Sequence, residues 1–175
     1  MLAQRPDMVV KFATVALPYL KLGEHDQPNR WDVELSCELA YSLMIQRDLD
    51  AAAEKVRLCL RSSKNLGDPD LLNLAHQTNV WVLQAIGKQS EAQESEQFLL
   101  QHTPEDPQHY VELAQLQAQQ GKSSEAIQSW QNALRLFEVK KDAKGIASTH
   151  LSLAIAMTLS KSSNNDVREL SLIHI

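Results

Sequence analysis

The stretch GKQSEAQESEQFLL, Gly87 to Leu100, returns 34 residues later as GKSSEAIQSWQNAL, Gly121 to Leu134, with eight of fourteen positions identical. A chain that repeats itself at an interval of roughly 20–50 residues is building one supersecondary unit several times over. In the second copy, Ala126, Ile127, Trp130, Ala133, Leu134 and Phe137 fall on one stripe of an α-helix. Ser124 is placed to cap that helix, and Glu125 complements the dipole of its first turn. Upstream, Tyr110, Leu113, Ala114 and Gln117 mark an earlier helix. Asp106-Pro107 opens it, Asp as cap and Pro at the first helical position, and Gln120-Gly121 closes it. The unit is a helix hairpin with a tight turn.

The same hairpin can be laid along the rest of the chain. Asp68-Pro69 opens a helix through Ala85, Gly87 breaks it, and Ser90 caps the next. Trp31 to Gln46 forms a helix, Arg47-Asp48 a turn, and Asp50 the cap of the segment beginning AAAEKVRLCL. Asp142-Ala-Lys-Gly starts a fourth copy, with Ala154 in the role of Ala114. The intervals near Asp68 and Asp142 are longer than 34 and read as an extra helical turn. The organisation expected is a capping helix or repeat remnant over 1–30, then hairpin repeats over 31–161, and a degenerate or truncated end over 162–175. Within it the repeats occupy about 33–66, 73–106 and 107–140, with a partial fourth from 147. At the N-terminal end, Met8 to Leu22 keep a helical period with a kink at Pro18, while KSSNN, Lys161 to Asn165, reads as loop. The closing SLIHI resembles a translated adapter tail, and the chain reads as cut short there.

The spacing Tyr110, Leu113, Ala114, Gly121, Ala126, Trp130, Ala133 resembles the tetratricopeptide repeat, over about residues 31–161. The copy at 73–106 matches least well, with Val80 and Glu96 where small and aromatic residues are usual. The resemblance implies an all-α fold, a right-handed superhelical stack of antiparallel helix hairpins. Physical chemistry gives the same pattern its reason. A small residue at a crossing lets two helices approach to about 8–10 Å. A hairpin cannot bury its apolar stripe alone, so hairpins stack.

Composition agrees and narrows the class. The 175 residues are 43% hydrophobic, with five Gly and six Pro, enough for one helical domain with a core. A formal charge of −5 and no Lys/Arg cluster argue against a nucleic-acid partner. No run approaches the ~20 apolar residues of a membrane span. Cys37 and Cys59 lack a Cys-x-x-Cys arrangement, and a domain with its own core does not call for a disulfide. A soluble cytoplasmic protein in a reducing compartment is expected.

The six histidines are scattered without metal-ligand spacing, and His102 and His109 flank the loop TPEDPQ as solvated side chains. Nucleotide, phosphate and nucleophile-elbow motifs do not occur. Glu91, Glu94 and Glu96 read as a solvated helix surface, Glu96 partly exposed. Cys37 is open to oxidants if exposed, and Cys59 is core. No enzyme, metal or cofactor is expected.

In the tetratricopeptide family the first helix of each hairpin lines a concave face. By that alignment the face carries Glu34, Glu38 and Tyr41, then Gln77 and Trp81, then Gln108, Glu112 and Gln115. Met44, Leu74 and Val111 fit that face or the packing between hairpins equally well. Some family members clamp a carboxylate with Lys and Asn there. The aligned positions here hold Cys37, Tyr41, Thr78, Gln108 and Glu112, with no cation for an acid. The resemblance therefore implies a non-catalytic scaffold for a neutral or basic peptide or helix with apolar anchors. The alternative is a regulatory arm of a larger signalling protein (a nucleotide cyclase, kinase or transcription regulator), which the junction KDAKGIA resembles. Self-association through exposed Leu151, Leu153 and Ile155 is a further expectation.

Overall fold

The computed structural model describes residue 11 and residues 29–172, with side chains described through residue 158. The expected N-terminal helix around Met8 to Leu22 lies, apart from residue 11, outside the described residues, as does the end of SLIHI. Among the residues described from Asn29 onward, seven α-helices follow one another: α1 (Arg30–Ile45), α2 (Leu49–Leu66), α3 (Pro69–Ile86), α4 (Gln89–His102), α5 (Pro107–Gln119), α6 (Ser123–Lys140) and α7 (Ala143–Leu172). The described residues contain no strand. The fold is all-α and solenoid-type: within each unit described below, consecutive helices pack neighbour to neighbour. The chain divides into two compact units at His102 and Thr103.

The helix ends show why the chain turns where it does. Asn29 and Asp32 form a reciprocal capping box at the start of α1. Asp68 accepts from the amides of Asp70 and Leu71 ahead of Pro69, and Asp106 accepts from Gln108 ahead of Pro107. After each first helix one residue takes the left-handed conformation: Arg47 at φ 68°, Gly87 at 88° and Gly121 at 76°. Glycine suits that role, and Arg47 fills it despite its Cβ.

Three caps differ from the sequence reading. Asp48, not Asp50, caps α2, because it is the first side chain available after the left-handed Arg47. Ser124 does not cap α6: the helix begins at Ser123, and Lys122 at the cap position makes no side-chain bond. Ser90 lies inside α4, which starts at Gln89.

In the first unit the core is small residues at crossings. Val33, Cys37, Cys59, Leu71 and Ala75 form one cluster across α1, α2 and α3. Ala40, Ala52, Val56 and Val82 form a second, closed by Leu43, Met44, Ala53 and Ile86. Cys37 and Cys59 are joined in a disulfide, with Cα atoms 5.4 Å apart. That corrects the expectation of unpaired thiols and of an oxidant-accessible Cys37, since both residues are buried. Folding α2 back along α1 brings the two sites, 22 residues apart, to one crossing. A separation of about 4.4–6.8 Å between Cα atoms is what a disulfide spans.

In the second unit α5 and α6 make the hairpin, and Ala114, Ala126, Trp130 and Leu153 share its core with flanking Ile127, Leu134 and Ala156. Leu153 was expected on the surface; it is buried, because this face of α7 turns toward the α5–α6 hairpin. Ala154, expected at a crossing, is exposed, whereas Ala40, Val80 and Ala114 are fully buried. The physical difference is a missing neighbour. Each earlier first helix is followed by a turn and a second helix, but α7 runs on unbroken through the segment read as loop, 161–165. That segment contains no Gly or Pro to stop it.

Candidate functional site

α1 and α3 lie side by side in the first unit. On α1, Cys37, Glu38 and Tyr41 share a face by their spacing of three and four residues, and on α3 Leu74, Thr78 and Trp81 do the same. These six residues line a cleft of about 280 Å³. Tyr41 and Trp81 meet across it, ring centroids 5.3 Å apart and planes tilted by 58°. That is a favourable edge-inclined aromatic contact. The pair fixes both rings, yet each remains half-buried, so part of each ring stays open to a ligand. Leu74 is exposed beside them, and the buried Cys37 belongs to the disulfide.

The wall is held from behind. Ser36 donates to the carbonyls of Asp32 and Val33 within α1, and Thr78 donates to Leu74 O at 2.9 Å within α3. These internal bonds satisfy the buried hydroxyls without a partner from outside.

The charges nearby are acidic. Glu38 is exposed and has no ion pair among the described residues. Glu34, one turn earlier, accepts from Arg30 Nε at 2.6 Å, and Arg30 also faces Asp68 at 3.8 Å. The bond to Glu34, and then its charge, raises the Arg30 guanidinium above its ordinary value.

Of the eight residues expected on the face, Glu38, Tyr41 and Trp81 come together in the cleft. Glu34 extends the acidic side along α1, and Gln77 is half-buried on α3 beside Thr78. Gln108 and Gln115 are exposed on α5, in the second unit. Glu112 is only 8% exposed, so it does not stand open on a surface as the sequence reading had it. Two other sequence readings fail on burial. Glu96 is fully buried, in the place where Trp130 stands in the later copy, and His109 is buried in the first turn of α5, 4.0 Å from Asp106. Only comparison of the two repeats in register carried a signal for Glu96.

A larger cleft, about 520 Å³, lies among α2, α3 and α4. It mixes Arg57 and Lys88 with Asp50, Glu91 and Glu94, and Lys88 already pairs with Glu91 at 2.8 Å. Nothing aromatic lines it, and its lining carries charges of both signs. Among the described residues, no group of three His, Cys, Asp or Glu side chains is placed to hold a metal ion. No helix there is long and apolar enough to cross a membrane.

No protein-family model matches the chain, and no curated protein sequence matches it. Solved structures do. BtubC (BKLC) from P. vanneervenii superposes with a TM-score of 0.66 at 19% identity, over 90% of this chain and 65% of that one. PilF of Pseudomonas aeruginosa aligns over 85% of this chain and 90% of that one, with 16% identity and a TM-score of 0.38. The chain thus spans 65% of the length of BtubC. The first likeness is one of fold: this chain shares an all-α, helical-repeat type of architecture.

Proposed function

We propose that the protein is a non-catalytic interaction scaffold, and that the cleft between α1 and α3 receives a polypeptide segment of a partner. The observation that carries this reading is the Tyr41–Trp81 pair. Two large half-buried rings on adjacent helices, next to exposed Leu74, put apolar surface inside a cleft, where a bound segment can cover it. Aromatic anchors in concave pockets dominate the energy of many interfaces, at about 2 kcal/mol or more each. Placement on two packed helices means the rings need little reordering on binding.

The test is to pan a library of random dodecapeptides displayed on phage against the full chain and against Trp81→Ala. Segments that need the cleft should bind the variant at least tenfold more weakly, with the far-ultraviolet dichroism of the two proteins alike. Recovery of binders that ignore the substitution at every round would remove the cleft from the reading.

A further inference from the structure

We infer that the cleft selects a cationic side chain, arginine above all, flanked by apolar residues in the bound segment. The inference rests on the scaffold reading and specifies its ligand.

Three observations converge on it. Glu38 is the one charged residue in the cleft wall, it is exposed, and no cation among the described residues answers it. The two aromatic faces beside it offer a negative quadrupole to the same visitor. The sequence of the two helices that bear the cleft leans to the same sign, although Asp32 is buried in its capping box and Glu34 is paired with Arg30. From Asn29 to Ile45 and from Asp68 to Ile86 the sequence carries Asp32, Glu34, Glu38, Asp68 and Asp70, with Arg30 the only Lys or Arg. The neighbouring α2 has the opposite bias, with Lys55, Arg57, Arg61 and Lys64 against Asp50 and Glu54. The fourth helix of the unit, α4, is acidic as well, with Glu91, Glu94 and Glu96 and no Lys or Arg, so of the four only α2 leans basic.

Geometry narrows the cation. The Tyr41 and Trp81 rings touch each other, at 5.3 Å between centroids, so they cannot enclose a bulky quaternary ammonium between parallel walls. A planar guanidinium can lie against the open part of the indole while its N–H groups donate to the Glu38 carboxylate. Leu74 then meets the apolar neighbour of that arginine. An acidic segment is repelled by the same wall, so the sign selects against one class of partner as well as for another.

The experiment uses the full chain and three acetylated, amidated pentapeptides that place arginine, citrulline or norleucine between alanines, with leucine at both ends. Citrulline keeps the shape of arginine and removes its charge. Binding is followed in nitrogen–proton correlation spectra through the Trp81 indole N–H, assigned by its loss in Trp81→Phe. The expected result is that the arginine peptide moves this resonance and binds at least fivefold tighter than the citrulline peptide. Glu38→Gln, a change at an exposed site, should shrink that ratio below twofold. Equal affinity for arginine and citrulline peptides overturns the charge selection and leaves the scaffold reading standing. So does a ratio unchanged by Glu38→Gln, because the carboxylate is then not the selector. No movement of Trp81 with any of the three peptides overturns both.

Discussion

His76 sits in a stack of rings: its imidazole lies 3.8 Å from Phe98 at 15°, and Phe98 lies 4.0 Å from His102 at 25°. Neither nitrogen of His76 has a hydrogen-bond partner, and both are buried. Burial lowers its pKa to about 4, helped by the charges of Lys64 and His102. A base whose folded pKa is depressed resists protonation only in the folded state. Its contribution is therefore complete above the unfolded value near 6.5 and is lost as pH falls toward 4. The residue is half-exposed as a whole, so solvent screening cuts the effect to on the order of 1–2 kcal/mol. Urea melts should show stability falling between pH 6.5 and 4, and His76→Leu should flatten that slope. A wild-type slope that survives the substitution would place the titration elsewhere. At this scale the sequence was least informative. His76, Glu96 and His109 look like ordinary surface residues of helices, and their burial depends on which neighbour covers them.

A helix in this chain is specified by its ends more than by its middle, and the contact of α6 with α7 shows how closely the ends must fit. Gly145, in the first turn of α7, lies so near the Phe137 ring that a Cβ there would meet ring atoms at 2.3, 2.5 and 2.7 Å. Helix propensity alone makes Gly145→Ala stabilising by about 1 kcal/mol. The contact reverses the sign, since moving Phe137 off its seat costs roughly 1–3 kcal/mol. The melting temperature of Gly145→Ala should fall by several degrees, and a rise would mean the ring yields freely. Asp-Pro openings and Gly closings were legible because each rests on local chemistry. The exact caps Asp48 and Asn29 were not, since they depend on where the left-handed residue or the capping box falls. The repeat also hides a shared bond. Ser95 and Ser129, equivalent across the 34-residue interval, each bond an amide side chain of the preceding helix, Asn79 at 2.8 Å and Gln117 at 2.8 Å. Those amides stand one helical turn apart in the repeat register, so the serine recurs in sequence and its partner does not.

At the scale of the molecule, the all-α hairpin architecture within each unit was legible because a period of 34 residues with small crossing residues admits few architectures. The cleft was legible in part: the place of Glu38, Tyr41 and Trp81 in the repeat puts them on its wall, whereas Glu112 is buried despite its place. The disulfide was missed because composition says nothing of which residues meet at a crossing. Closing a loop of 22 residues removes freedom from the unfolded chain worth about 3 kcal/mol. Treatment with a thiol reductant should therefore lower the thermal midpoint by several degrees, and Cys37→Ser should reproduce the loss without added reductant. An unchanged midpoint in both would show that the link adds nothing. Because Cys37 lies at the back of the aromatic cleft, the link does more than fasten a hairpin. It prevents α1 from sliding along α2, so on the proposed reading a visitor to the cleft would meet one rigid jaw and find any give in α3. Electron supply in the surrounding medium, acting through two sulfur atoms that the visitor never touches, would then govern how forgiving that jaw is.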